Sequence, residues 1–150
     1  MSDNTDISKL DDLVVTTIDS VKGYEHSAEH AAAARFADKF RALAAERKEV
    51  VATLQGRSRA LGGTPNDFGS AAGTLHRGFE DLRRALGGGD EALVKEIERG
   101  EDYLKEEFER ALHDEAISPE TRTVIQGCDT VVKRGHDAMS QLKHELAAAN

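Results

Sequence analysis

Between Leu10 and Leu61 the chain carries two helical stripes in succession, and nothing in the local sequence separates them. Leu10, Val14, Thr17, Val21, Tyr24 and Ala28 recur at three- and four-residue spacing, the period of an amphipathic helix. Phe36, Phe40, Leu43, Val50, Leu54 and Leu61 form a second such stripe. No Gly or Pro lies between the two, so local rules permit one helix from Ile7 to Leu61, about 80 Å long. A compact domain of 150 residues is only about 40 Å across. The chain must therefore reverse near Ala31–Ala34, through an alanine run that propensity alone would keep helical. Thr5 or Asp6 is the expected N-cap of the first helix, and residues 1–6 are expected to be disordered.

The later helix ends are marked more openly. Gly62, Gly63 and Pro65 stop the second helix, since glycine suits the left-handed position after a helix and proline cannot continue one. A shorter helix is predicted from Ser70 to Leu86, ended by Gly87-Gly88-Gly89. Asp90 is the expected cap of the next, whose apolar face is Leu93, Ile97, Leu104, Phe108 and Leu112. Ser118-Pro119-Glu120 opens the last as N-cap, first-turn proline and an acid at the positive end of the dipole. Its stripe is Val124, Cys128, Val132, Met139, Leu142 and Leu146.

Four long helices thus form two antiparallel hairpins, with nearly thirty residues between the second and third. A simple up-down bundle needs only a short loop there. The length fits a helical crossover along the bundle, and the Ser70–Leu86 helix would cover about 25 Å of it. The expected fold is all-α: a ferritin-like four-helix bundle in one domain spanning residues 1–150. A five-helix up-down bundle is the rival topology.

Composition narrows the function by exclusion. A net charge of −8 disfavours nucleic acid, whose phosphates need clustered Lys and Arg. No apolar run approaches the roughly 20 residues of a membrane span. The acidic N-terminus has no apolar segment of a signal peptide. The lone Cys128 cannot form an internal disulfide, so the expected location is cytoplasmic.

Candidate chemistry lies in polar residues set within the apolar stripes. Ferritin-like di-iron sites draw a Glu from each of two helices and Glu-x-x-His from the other two. Glu46 lies three after Leu43 and four before Val50; Glu101 lies four after Ile97 and three before Leu104; His136 lies four after Val132 and three before Met139. Burying such groups is costly unless they are paired or ligated. These three are the candidate metal ligands, for iron or manganese, with Glu25 and Glu49 as lesser candidates. Lys22 sits at a depth comparable to Glu25. The motifs are incomplete: Glu49 stands where the histidine of Glu46-x-x-His is expected, and Lys133 where a bridging glutamate would precede His136. A lysine beside a divalent ion is electrostatically unfavourable and would instead pair with a carboxylate in place of the missing cation. An inward salt-bridge layer without metal is the leading expectation.

Other segments carry less. His26-Ser27-Ala28-Glu29-His30 matches the H-x-x-E-H pattern of one metallopeptidase class, yet sits at a helix end without an evident third ligand or cleft. A solvated helix terminus is the expected reading, with surface metal binding second. Gly69-Ser70-Ala71-Ala72-Gly73 could present backbone N–H groups to an anion at a helix N-terminus; with no strand before it, it is neither a P-loop nor a dinucleotide fingerprint, and it is read as close helix packing. His76 and Arg77 are read as groups that hold the crossover down. Cys128 belongs to a core stripe and has no nameable activating partner.

Several pieces together resemble a known family. They are Lys22-Gly23-Tyr24, Ala44-Ala45-Glu46-Arg47, Leu61-Gly62-Gly63-Thr64-Pro65, the run Gly69 to Phe79, Glu98-Arg99-Gly100-Glu101 and Gly135-His136-Asp137. They resemble bacterial ferritin-like four-helix proteins grouped as a domain of unknown function. The likeness spans about Ile7 to Leu146 and implies the ferritin-like fold without a set activity. Ser20-Val21 stand where members of that group carry a Gly-Glu pair, which removes one carboxylate from any transferred metal set. The resulting expectation is a non-enzymatic binding or structural protein, stress-associated by analogy, that forms a homodimer through an isologous contact. The alternative is a metal-binding protein with iron or manganese redox activity.

Overall fold

The computed structural model describes residues 3–69 and 89–149, with side chains as far as 146. Four helices run in chain order: α1 (Asp3–His30), α2 (Ala34–Ala60), α3 (Gly89–Leu112) and α4 (Pro119–Ala149). The described residues are all-α, with no strand, as a four-helix bundle requires. The reversal comes at residues 31–33. Size therefore overrides alanine's helix propensity, and a specific cap assists it. The Asp90 carboxylate accepts hydrogen bonds from the Ala32 and Ala33 amides at 2.9 and 3.0 Å. Asp90 was the expected cap of its own helix; it instead lies inside the first turn of α3 and caps the neighbouring turn.

The C-terminus of α2 matches its glycine signal. Gly62 has a φ of 92° and donates to the Arg59 carbonyl, while Gly63 donates to the Ser58 carbonyl at 2.8 Å. These two bonds are a Schellman motif, which satisfies carbonyls left over at the helix end. Pro119 takes the first position of α4, and the Ser118 carbonyl accepts from the Arg122 amide. The N-terminus departs from expectation: α1 already begins at Asp3, and Asp6 is buried rather than disordered. Its carboxylate accepts from the Ser118 amide and hydroxyl and from the Thr121 hydroxyl, at the start of α4. A partner 112 residues away in sequence thus orders the end of the chain.

Contacts with α1 and with the turn after it place residues 63–69 and Asp90. Gly63 packs against Ile7, and Gly69 against Ile18. The Phe68 carbonyl accepts from Lys22. Residues 63–69 therefore climb along α1, past about 16 Å of that helix. Gly69 uses a φ of 90°, and the Asn66 side chain holds the loop by accepting from the Phe68 and Gly69 amides. Asp90 sits at the far end of α1. The segment carrying the predicted Ser70–Leu86 helix, with His76, Arg77 and most of the small-residue run, lies outside the described residues.

The predicted stripes of α1 and α2 are buried, apart from a half-buried Leu61. Two apolar clusters result. One joins Leu10, Val14, Leu54, Phe108 and Ile125; the other joins Tyr24, Phe40, Leu43, Leu93 and Met139. Each fully buried Leu, Ile or Phe contributes about 1.5–3 kcal/mol. A polar layer lies between the two clusters.

Candidate functional site: the polar layer between two cores

Every helix supplies a part of this layer. Arg47 on α2 is completely buried, and Glu101 on α3 nearly so, at 2% exposure. The Arg47 Nη2 donates to Glu101 Oε2 at 2.7 Å and to the Val132 carbonyl of α4 at 3.3 Å. Its Nη1 donates to the Ser20 hydroxyl of α1 at 3.1 Å. The Tyr24 phenol, also on α1, donates to Glu101 Oε1 at 2.5 Å. The guanidinium lies 5.8 Å from the Tyr24 ring centre, within cation–π range. Gly135 of α4 completes the layer by having no side chain, since a Cβ there would collide with Arg47 Nη2.

The electrostatics follow from that packing. Removing an ion pair from water costs several kcal/mol per ion unless good geometry and added hydrogen bonds offset it. Here both carboxylate oxygens accept a bond, and the guanidinium has three acceptors, leaving only Nε without one. Burial, and then the neighbouring Glu101 charge, hold the Tyr24 phenol well above its usual pKa, so it stays a proton donor to the carboxylate.

The candidate ligands are distributed unequally. Glu101 is inward as its spacing implied. Glu46 is only half-buried, and the side chain turned fully into the bundle is its neighbour, Arg47. Glu25 is exposed and pairs with Lys48 at 3.1 Å, and Glu49 is exposed. His136 lies at the rim with its Nε2 2.6 Å from Asp102, while Gly135 takes the inward position. Lys133 pairs with the buried Asp129 of its own helix at 3.2 Å, rather than with the layer. As placed, these residues do not offer a di-iron ligand set. Glu101 is already engaged by a fixed cation and a phenol, and a divalent ion beside a guanidinium would be repelled.

Arg47 is the residue that spacing alone did not single out, although the signal was present. Leu43, Arg47, Val50 and Leu54 follow each other at four, three and four, as regular as the alternative through Glu46. Asp6 and Asp129 are likewise buried carboxylates outside the apolar pattern. Burial pushes the Cys128 thiol up to about 11, which removes it as a nucleophile at neutral pH. Among the described residues, the group whose metal-binding atoms come together is His26, Glu29 and His30, within 4.8 Å of one another.

A family model described as a domain of unknown function, DUF2383, matches residues 5–114. The chain belongs to the DUF2383 family. The match takes in most of α1, all of α2 and α3 and the residues between them, and so three of the four helices that build the layer. No curated protein matches the chain. No helix among the described residues is long and apolar enough to cross a membrane.

Proposed function

We propose that this chain is a ferritin-like bundle of the bacterial type whose central site is closed by an internal cation, and that it works in the cytoplasm as a binding or structural protein. The observation that carries the reading is the Arg47–Glu101 pair, 2.7 Å apart with both side chains sealed from solvent. In a di-iron bundle the positive charge between the helices is a metal; here the guanidinium supplies it. The ferritin-like order is supported by the climb of residues 63–69 along α1 and by the contact of Asp90 with the opposite end. A connection of that kind makes α2 and α3 parallel, as one long crossover between two hairpins does. Exposed Phe68 and Tyr103 supply apolar surface for a homodimer.

The rival reading is iron or manganese redox chemistry through Glu46, Glu101 and His136, and the inward Glu101 favours it. It requires Arg47 to leave its carboxylate. Aerobic oxidation of ferrous iron separates the two. The proposal expects oxidation at the rate of the buffer alone. Acceleration that Glu101→Gln abolishes would overturn it.

A further inference from the structure

We propose that the last turn of α1 is a divalent transition-metal site of the zinc class, with His26, His30 and Glu29 as its ligands. The donor set is two imidazoles and a carboxylate, which suits zinc, nickel or copper rather than magnesium or calcium. His26 and His30 stand four residues apart, so they project from the same helix face. Their ring centres are 4.5 Å apart, and one donor atom from each of the three residues lies within 4.8 Å of the others. Zinc–ligand bonds of about 2.0–2.2 Å in a tetrahedron need donors about 3.4 Å apart. The exposed Glu29 carboxylate can turn to close that gap while His30 keeps its Nδ1 contact.

Two further observations point to a cation at this turn. The His30 Nδ1 lies 2.9 Å from the His26 carbonyl. A carbonyl only accepts, so Nδ1 is the donor in this contact and Nε2 is the nitrogen left for a metal. Metal-binding histidines are commonly held this way by a backbone carbonyl. The site also lies at the negative end of the α1 dipole, where His30 is the only basic residue of the last turn. A bound cation is favoured there. Three protein donors leave coordination positions open to water or to a ligand from a partner. The site is separate from the buried layer: it uses none of Tyr24, Arg47 or Glu101.

The test is a zinc titration of the chelator-stripped protein by calorimetry, repeated with cobalt(II) to read the coordination geometry from its visible spectrum. The expected result is one ion per chain, with the intense visible bands of four-coordinate cobalt. Outer-shell partners alone are worth about tenfold in affinity, so His26→Gln or His30→Gln weakens binding by more than about tenfold. Glu29→Gln weakens it less. His30 is exposed, so His30→Gln keeps the fold and the comparison holds. Absence of zinc binding, or binding unchanged in the double histidine variant, would overturn the proposal. Zinc that survives in the double histidine variant and disappears in the charge-free Arg47→Met/Glu101→Gln variant would instead place the ion in the central layer, and would overturn the guanidinium-closed reading as well.

Discussion

Removing the charge of Arg47 alone should cost far more stability than removing both charges of its ion pair. In Arg47→Met the thioether chain refills most of the volume of the arginine stem, but the Glu101 carboxylate is left buried at 2% exposure with only the Tyr24 phenol as donor. Uncompensated buried charges of this kind cost about 3–5 kcal/mol. Glu101→Gln does the converse: the amide oxygen still accepts from Tyr24, while the fully buried guanidinium loses its counter-charge. The double variant Arg47→Met/Glu101→Gln buries no charge and keeps an acceptor for Tyr24, so its stability should lie within about 2 kcal/mol of the native chain. The two single losses then exceed the double loss by about 4 kcal/mol or more. On a domain worth about 5–15 kcal/mol in total, either single variant is badly destabilised. Each melts about 6–20 °C lower. Urea unfolding followed by circular dichroism at 222 nm gives the cycle directly. If a single variant fails to fold while the double variant folds, the conclusion is the same. Additive losses, with a coupling under about 1 kcal/mol as for exposed pairs, would refute the reasoning.

Three further predictions follow from the same contacts. Gly127→Ala and Gly100→Ala meet open space in their helices and should stabilise by about 0.5–1 kcal/mol, whereas Gly135→Ala drives a methyl into Arg47 and should destabilise by about 1–3 kcal/mol; urea midpoints of opposite sign check this. Burial alone would raise the Asp6 carboxyl, but bonds from Ser118 and Thr121 and the charge of Arg57 bring it below its ordinary 3.8. Its contribution is therefore full above pH 3.8 and lost as the pH falls through the lower folded value, so Asp6→Ala should cost about 1.5–3 kcal/mol at pH 7 and progressively less below pH 4, as pH-dependent melting measures. Cys128, pushed up to about 11 by burial, should resist thiol reagents at pH 8 until urea unfolds the chain, which a timed labelling experiment reads.

How much was legible in the sequence depends on how local the cause was. The turn at residues 31–33 has no local signal, yet helix length against domain size demanded it. Gly62 and Pro119 announced their helix ends because backbone conformation is a property of those residues themselves. The polar layer was legible as a layer and mis-assigned by one position on two helices. At 3.6 residues per turn, Glu46 and Arg47 both satisfy a three-and-four spacing, as do Gly135 and His136. What decides between them is complementarity across the bundle: the missing Cβ of Gly135 makes room for Arg47 Nη2, and the Glu101 carboxylate holds it. Asp6 escaped for a similar reason, since its partners lie at the start of α4.

The central claim is that a guanidinium stands where a ferritin-like bundle would hold its metal. Anomalous diffraction at the iron edge, from crystals soaked in ferrous iron, tests it most directly. The account predicts no iron peak among Tyr24, Arg47 and Glu101, and an Arg47 side chain still bonded to Glu101. An iron peak bonded to the Glu101 carboxylate, with Arg47 swung away, would contradict it.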